Sequence, residues 1–580
     1  MQGLFQVNLA IMRIPVIDIF AGPGGLGEGF SAAEVNVRFN IRLSIEKDHI
    51  AHQTLQLRSF LRTFGYDAFP AEYYEYVKGK ITRDELYKAY PAQARHAAEE
   101  VWQVELGVEN SEHVHDRIEK ALGGNRHWVL LGGPPCQAYS LVGRARMTGL
   151  GIAGKDLEGK ELDRLRQKKL KNFYQDHRHT LYKEYLKIVA VHKPTVFVME
   201  NVKGILSSKN EDDEPIFRQI LQDLQDPWKA ISADEKIKKS RRLSGKSPRY
   251  RLFSFVRSSD IGAGYDTNSE SRNGLKPRDF IIQAEKYGIP QKRHRVIILG
   301  ILEDYDAKPE VLTKIAKAVS VRAALENLPE LRSGLSKEQD SSEEWEKLIR
   351  KGFRAESLRK LDAKTSSIIR RSLNALNGSG GRGAQYIPGS LKKSSTELSR
   401  WLSYDTQLKG TLQHETRGHM TSDLWRYLFV SAYTEAHGHS PKVDEFPEWL
   451  SPDHKNVKNP AKSGDGFSVH FKDRFRAQMA DDAATTITSH ISKDGHYYIH
   501  YDPAQCRSLT VREAARLQTF PDNYFFEGNR TQQYHQVGNA VPPLLAYKLA
   551  GVVAGVIEQC VKADKKAAQG SARERKEAAA

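Results

Sequence analysis

Cysteine is scarce in this chain, whose 580 residues include only Cys136, Cys506 and Cys560. Three thiols are too few for a disulfide framework, and none has the Cys-x-x-Cys or Cys/His spacing of a zinc site. The sequence therefore predicts a protein of a reducing compartment such as the cytoplasm, in which a thiol can be kept for chemistry.

Long apolar runs are also missing. No stretch reaches the roughly 18 consecutive apolar residues that a membrane helix needs. The start of the chain, residues 1–5, lacks the basic and apolar regions of a signal peptide. A mean hydropathy of −0.57 with 28% charged residues is typical of a soluble globular protein, and the length allows about two to four domains.

Metal-ligand patterns are weak. His414, His419, His437 and His439 are near one another in the sequence, but no cysteine and no HExxH pattern accompanies them. We therefore predict no metal site.

Basic residues are in excess: the net charge is +16 and the isoelectric point is near 9.4. Such a balance favours a polyanionic partner such as nucleic acid. A surface charge that only keeps the protein in solution is the alternative.

A glycine-rich turn follows the first apolar run. Residues 16–20 predict a strand, residues 21–27 a glycine turn, and the next residues the start of a helix, which is the first unit of a dinucleotide-type α/β fold. The next strand ends in Glu46, about 20 residues beyond the glycines, where a carboxylate can accept hydrogen bonds from ribose hydroxyl groups. Together they favour a cofactor site, although Glu46 could be an ordinary charged strand end.

The thiol of Cys136 follows another strand end. Residues 128–131 predict a buried strand, and Gly133, Pro134 and Pro135 end it directly before Cys136. A thiol at such a rigid corner can be aimed, and its thiolate is the attacking form. For an isolated Pro-Cys pair, a buried cysteine beside a turn is the more common interpretation.

Polar side chains end two further strands. Apolar residues 195–199 precede Glu200, and apolar residues 280–282 and 296–299 flank a segment that contains Arg293 and Arg295. Because the ligand crevice of an open α/β sheet lies outside the carboxyl ends of its strands, one crevice is expected to collect Glu46, Cys136 and Glu200. The two arginines, at alternate positions, point to one face of a strand, where they could clamp an anion or lie on a solvated edge.

The sequence pattern changes from about residue 302. Residues from about 302 to 480 show no parallel α/β pattern, which predicts a separate domain. A capping box at Thr510 and Glu513 starts a helix, and a second helix begins near residue 541 and runs to about Val561. The Lys-, Glu- and Ala-rich residues 562–580 are predicted to be disordered.

Six segments resemble, in the same order, the motifs of the C5-cytosine DNA methyltransferase family of bacterial type. They are residues 18–25, 133–137, 200–202, 291–295, 512–518 and 538–541. The resemblance implies a Rossmann-like α/β domain that uses S-adenosylmethionine over residues 1–301. It also implies an inserted, smaller, mixed α/β target-recognition domain over 302–529 and a C-terminal helix over 530–561 that completes the catalytic domain.

The resemblance implies a DNA (cytosine-5-)-methyltransferase and a role for each matching residue. Cys136 adds to C6 of a flipped-out cytosine, and Glu200, protonated or sharing a proton with N3 of that base, supports the addition. Arg295 supports the base and the thiolate region, and Arg293 positions the backbone or the catalytic loop. The residues expected to bind S-adenosylmethionine are Asp18, Phe20, Gly22, Gly24, Gly25, Glu46, Glu105, Pro135, Leu181, Asn539 and Val541, with Asp116 as the alternative to Glu105. Those expected to contact DNA are Gln137, Ser140, Arg144 and Arg146, in or next to a Gly-rich basic segment, 141–155, that would also suit a solvated loop.

The expected partner is double-stranded DNA, and the expected setting is a restriction-modification or phage-defence system with a cognate endonuclease and a monomeric enzyme. A tRNA cytosine-5 methyltransferase of the same fold would share Cys136 and Glu200, but the large second domain and the long basic segments disfavour it. A catalytically silent DNA-binding regulator is disfavoured because Cys136, Glu200 and Arg295 are intact. The sequence names neither the target site nor the base that removes the C5 proton.

Overall fold

The computed structural model describes residues 11–33, 36–66, 68–135, 177–208, 216–232, 247–258, 274–376, 381–391, 394–452, 473–493 and 495–579. Cys136 and the four predicted DNA contacts, Gln137, Ser140, Arg144 and Arg146, lie outside these residues.

An eight-stranded mixed sheet forms the centre of the protein, in the order β3-β2-β1-β4-β5-β8-β6, with β7 also paired to β8. Its strands are β1 (Met12–Ile19), β2 (Val37–Glu46), β3 (Val101–Gln103), β4 (Val129–Gly132), β5 (Val196–Val202), β6 (Tyr250–Ser254), β7 (Ile281–Gln283) and β8 (His294–Leu302). The first five strands are parallel, and β8 runs antiparallel to its neighbours β5, β6 and β7. The predicted α/β fold class is confirmed.

Helices cover both faces of the sheet, and further helices belong to a second body of structure. In chain order they are α1 (Gly25–Ser31), α2 (His49–Arg62), α3 (Ala71–Val77), α4 (Arg83–Ala89), α5 (Pro91–Glu100), α6 (Ser111–Leu122), α7 (His177–His192), α8 (Ile216–Gln225), α9 (Pro227–Ile231), α10 (Val321–Leu325), α11 (Ser342–Gly352), α12 (Ala355–Arg359), α13 (Ala363–Ala375), α14 (Glu397–Leu402), α15 (Thr421–His437), α16 (Val511–Leu517), α17 (Arg530–Asn539) and α18 (Pro543–Ala579). Short 3₁₀ turns occupy Lys203–Ser207, Pro277–Phe280, Ala284–Tyr287, Val443–Glu445, Glu448–Leu450, Ser489–Ser492 and Pro503–Gln505.

Alternate side chains of β1 enter two different cores. Ile14 and Val16 pack with α1, α16, α17 and α18 on one face, and Ile17 and Ile19 pack with α6, α7 and α8 on the other. A strand that is buried on both faces has a continuous apolar sequence, and this allowed the central strands to be predicted.

Helix α18 is a core element contributed by the end of the chain. By length and hydropathy it could cross a membrane, but 78% of its apolar window is buried inside the protein. The carboxylate of Asp564 on α18 lies 3.1 Å from both Arg126 and His127, which come just before β4. The last residues, predicted to be disordered, continue the helix to Ala579 with largely exposed side chains, because Ala, Lys, Glu and Arg favour a helix even without packing.

The backbones of α1 and α18 approach closely at Gly29. A Cβ added there would lie 2.3 Å from the carbonyl oxygen of Pro543 and 2.4 Å from the amide nitrogen of Tyr547. We expect Gly29→Ala to lower the free energy of unfolding by about 2–3 kcal/mol, because neither backbone atom can move cheaply. The matched control is Gly551→Ala on α18, where open space should allow a gain of about 0.5–1 kcal/mol. Denaturant unfolding of both variants tests this, and equal stabilities would contradict it.

A second body of structure lies between α10 and α16. It contains β9 (Gly334–Leu335) parallel to β12 (Gly418–His419), and β10 (Gly383–Pro388) antiparallel to β11 (Gly410–Glu415). Its main hydrophobic cluster is built on α11, α12, α13 and α15, with side chains such as Trp345 and Leu428, whereas Leu398 and Leu402 of α14 join the cluster on the sheet.

The boundaries predicted for this domain, 302 and 529, stay a prediction. Val321 in α10 and Leu517 in α16 join the cluster on the sheet, whereas the separate cluster extends from Leu335 to Cys506. The sequence pattern marks an apolar helix face but does not say which core that face joins.

Candidate active site

A cavity of about 390 Å³ opens at the carboxyl ends of β1 to β5. It lies where the strand order reverses between β1 and β4, which is the usual ligand position in open α/β sheets, and its volume is within the common range of about 300–1,000 Å³. It is lined by Phe20, Gly22, Pro23, Ile45, Glu46, Lys47, Asp48, Ala51, Val104, Glu105, Leu106, Gly133, Pro134, Pro135, Leu181, Glu200, Asn201, Val202, His535, Gln536 and Asn539. A larger cavity of about 680 Å³ between α10, α13 and α15 contains none of the predicted site residues.

The turn after β1 is held in an unusual backbone conformation. Phe20, Gly22 and Gly24 have φ angles of 56°, 57° and 91°, in the left-handed region. At Gly25 a Cβ would lie 2.1 Å from the carbonyl oxygen of Val541, so the turn packs directly on the segment between α17 and α18. A left-handed conformation is strained for a non-glycine residue such as Phe20 and persists only where the surrounding structure enforces it. Such residues are concentrated at functional sites.

The carboxylate of Glu46 closes this turn. Its Oε2 accepts a hydrogen bond of 2.8 Å from the amide of Gly22, and its Oε1 accepts one of 2.8 Å from the amide of Asp48. Burial raises the pKa of Glu46, and the two amides oppose that shift. A carboxylate has about four acceptor sites, so Glu46 can still accept hydrogen bonds from a ligand in the cavity.

Seven of the predicted cofactor residues line the cavity: Phe20, Gly22, Glu46, Glu105, Pro135, Leu181 and Asn539. The other four, Asp18, Gly24, Gly25 and Val541, do not line it. Asp18 is 1% exposed within the sheet, and burial raises the pKa of its carboxyl group to about 7.

Glu105 and its alternative Asp116 differ in their position relative to the cavity. Glu105 lies at the cavity, two residues beyond β3, and forms an ion pair of 2.9 Å with Lys47, which also lines the cavity. Asp116 is on the exposed side of α6 and is absent from the lining.

A carboxylate and a guanidinium meet at the far side of the cavity. Arg295 Nε lies 2.9 Å from Glu200 Oε1, and the two side chains are 13% and 15% exposed. The pair forms because antiparallel β5 and β8 place Val202 opposite Arg295. Glu200 is two residues before Val202, so its side chain lies on the same face of the sheet as Arg295. Burial lowers the pKa of Arg295, and Glu200 opposes that shift, so the carboxylate is held in place by a charged partner.

The segment that precedes Cys136 passes against this carboxylate. A Cβ at Gly133 would lie 2.9 Å from Glu200 Oε2, so a side chain there would displace the end of the Glu200 side chain. The strand end carrying Glu200 and the strand end that leads to Cys136 are therefore in contact, as parallel neighbours β4 and β5 require.

Sequence comparison matches residues 95–227 and 268–554 to the family described as C-5 cytosine-specific DNA methylase. The chain belongs to this family. It is 30% identical to type II methyltransferase M.Bpa9945I of Bacillus paralicheniformis over 93% of this chain and 99% of that protein. It is 24% identical to type II methyltransferase M.DdeI of Desulfomicrobium norvegicum, covering 92% and 87% of the two chains. It is also 24% identical to DNA (cytosine-5-)-methyltransferase M.ApeKI of Aeropyrum pernix, covering 74% and 81%.

The protein is thus a DNA (cytosine-5-)-methyltransferase, and its predicted type of enzyme is confirmed. In this methyltransferase Arg293 does not line the cavity. It is 2% exposed and donates hydrogen bonds to the carbonyl oxygens of Ile487 at 2.7 Å and Gly538 at 3.2 Å. Arg293, the residue before β8, is therefore joined to α17, and the role predicted for it stays a prediction.

Asn201, His535 and Gln536 are among the cavity residues that were given no role from the sequence. Asn201 donates to the carbonyl oxygen of Pro134 at 3.2 Å and so ties the Pro-Pro segment to β5. His535 and Gln536 precede Asn539 on α17. All three adjoin or lie within matching segments, so their position next to Glu200 and Asn539 was the available signal.

The other thiols of the methyltransferase are unsuited to nucleophilic attack. Burial raises the pKa of Cys560 to about 12 and that of Cys506 well above its usual value. Cys136 is the remaining cysteine of the sequence.

Two of the histidines that were considered as metal ligands serve the fold. His414 is hydrogen-bonded to Thr510 Oγ1 and to the carbonyl oxygen of Pro329, each at 2.8 Å, and burial lowers its pKa to about 4. His419 lies 3.3 Å from Ser508 Oγ. Over the part of the chain that the structure describes, no group of three potential ligands is close enough to hold a metal ion.

Proposed function

We propose that this methyltransferase transfers a methyl group from S-adenosylmethionine to C5 of a flipped-out cytosine in a specific duplex DNA sequence, through a covalent bond between Cys136 and C6. The observation that carries the proposal is the contact between Gly133 and Glu200 at one wall of the cavity. Cys136 lies outside the described residues, but it is bonded to Pro135, which lines the same cavity. A thiol and a carboxylate are thus tied to one site.

The chemistry requires both groups. C5 of cytosine is too weak a nucleophile to attack a methyl sulfonium directly. Addition of the Cys136 thiolate to C6 moves electron density toward N3 and C5, and a proton shared between Glu200 and N3 stabilises the charge. After methyl transfer a base removes the C5 proton, the C6–S bond breaks and the thiolate leaves. Arg295 holds Glu200 in place for this proton.

The cavity fits the cofactor that supplies the methyl group. S-adenosylmethionine carries a ribose and a positively charged sulfonium centre, which is the methyl donor. Glu46 keeps acceptor sites for ribose hydroxyl groups, the glycine turn exposes backbone, and Glu105 offers a further acceptor. The cavity is also large enough for a nucleoside-sized ligand.

The substrate must reach this cavity as an extruded base, because a stacked cytosine cannot approach a side chain at a sheet edge. We propose that Gln137, Ser140, Arg144 and Arg146 contact the DNA. The inserted domain, assigned to 302–529 from the sequence, would read the target, and the net charge of +16 would favour phosphate binding.

The relatives suggest the biological setting. Two of the similar proteins carry the description type II methyltransferase, a class that belongs to restriction-modification systems. We propose that this enzyme acts as a monomer in the cytoplasm, alongside a cognate restriction endonuclease or other proteins of a phage-defence system.

The decisive test is methyl transfer from labelled S-adenosylmethionine to duplex DNA and, separately, to bulk tRNA. We expect label in DNA as 5-methylcytosine, and mapping of the methylated positions then gives the target sequence. Label in tRNA alone would show that the substrate is tRNA and would leave the proposed reaction mechanism unchanged. Bound S-adenosylmethionine with label in neither would indicate the silent DNA-binding regulator.

A further inference from the structure

The last turns of α17 present three side chains to the cofactor cavity: His535, Gln536 and Asn539. The opposite side of the helix, with Tyr534 and Val537, is buried in the core on the sheet. His535 and Asn539 are exposed and are separated by four residues, so they are neighbours on one helix face.

The amide of Gln536 is already committed to the fold. Its Oε1 accepts from Thr54 Oγ1 at 2.6 Å, and its Nε2 donates to the carbonyl oxygen of Glu527 at 2.9 Å. Gln536 therefore fixes α17 against α2, and polar recognition by this helix falls to His535 and Asn539.

His535 and Asn539 are hydrogen-bonded to each other. The imidazole Nε2 lies 2.9 Å from the amide Nδ2 of Asn539. An amide nitrogen can only donate, so the imidazole Nε2 accepts in this pair. The bond turns the amide so that its Oδ1 and its second N–H remain available to a ligand.

We propose that His535 is a positioning residue for cofactor binding, which holds the Asn539 amide in the orientation that accepts a hydrogen bond from a donor group of S-adenosylmethionine. This inference rests on the proposed function. Without the imidazole, the exposed Asn539 side chain rotates freely and loses conformational entropy when the cofactor binds. The chemical step does not involve His535, so binding changes while the rate at saturation does not.

The test compares His535→Leu with His535→Gln in the full-length protein. Leucine fills similar space without an acceptor, whereas the glutamine oxygen can accept from Asn539 four residues away. Calorimetry with S-adenosylhomocysteine should show about three- to tenfold weaker binding for His535→Leu and near-normal binding for His535→Gln. KM for S-adenosylmethionine should rise by the same factor with kcat unchanged, and the exposed Thr531→Ala on the same helix should alter neither.

A double substitution separates positioning from a general effect on the site. If His535 acts through Asn539, then adding His535→Leu to Asn539→Ala causes no further loss of affinity. Additive losses, or an unchanged affinity in His535→Leu, would overturn the inference while the proposed function stands. A wild-type protein that binds no S-adenosylhomocysteine would overturn both.

Discussion

Replacing Cys136 by serine is expected to lower methyl transfer to duplex DNA by about 10³-fold or more, equivalent to about 4 kcal/mol in the activation barrier. A serine hydroxyl is almost entirely protonated at neutral pH and adds poorly to C6, whereas a cysteine is partly thiolate there. Single-turnover transfer from labelled S-adenosylmethionine measures the change. Affinities for DNA and for S-adenosylhomocysteine should stay near wild type, because the two side chains have similar size.

A second experiment tests the proposed covalent bond by trapping it in the presence of S-adenosylmethionine. Duplex DNA with 5-fluorocytosine at the target has no C5 proton to remove, so the adduct with Cys136 should persist on a denaturing gel. The matched control is Cys560→Ala, which removes a buried thiol whose raised pKa keeps it protonated. It should form the adduct at the wild-type rate. A trapped adduct in Cys136→Ser, or methyl transfer above about one tenth of wild type, would assign the nucleophile elsewhere.

Loss of Arg58 is expected to destabilise the protein by about 3–5 kcal/mol, because Glu28 is left as an unpaired buried charge. Arg58 Nε and Nη2 donate to the two oxygens of Glu28 at 2.8 and 2.5 Å, and the side chains are only 2% and 0% exposed. The guanidinium also donates to Tyr404 at 2.8 Å, across to the segment that contains α14. The free energy of unfolding of Arg58→Met measures the loss.

A double variant distinguishes a stranded charge from lost packing. Replacing both partners, as in Arg58→Met with Glu28→Met, removes the unpaired charge, and we expect most of the stability to return. Arg350→Met breaks an exposed pair with Glu346 on α11 and should cost no more than about 0.5 kcal/mol. A double variant as unstable as Arg58→Met would show that packing of the arginine, not the buried charge, matters most.

Part of the cavity could be predicted because Glu46 and Glu200 each follow a short apolar run. Glu46 and Glu200 end buried parallel strands, and such strands bring their carboxyl ends to one edge regardless of the intervening sequence. The glycine turn after β1 carried its own signal, since left-handed positions at Gly22 and Gly24 favour glycine.

Long-range contacts were not visible in the same way. The bond from Asn201 to Pro134 and the one from Tyr524 to the carbonyl oxygen of Pro23 join segments far apart in the chain. The boundary between α5 and β3, within residues 92–105, is not visible in local patterns either. The helix ends at Glu100 and β3 begins at Val101, because pairing with β2 outweighs the local helical preference.

The position of α18 sets a limit on how the enzyme can be made. The glycine turn packs on Val541, and α1 packs on α18, which starts 241 residues after the end of β8 at Leu302. At about 5–20 residues per second, a ribosome needs roughly 12–48 s to cover that distance. During this time the nascent sheet exposes an apolar face and has an incomplete cofactor cavity. An interrupted translation product would therefore lack methylating activity and would be a substrate for proteolysis, so methylation requires chains synthesised through α18.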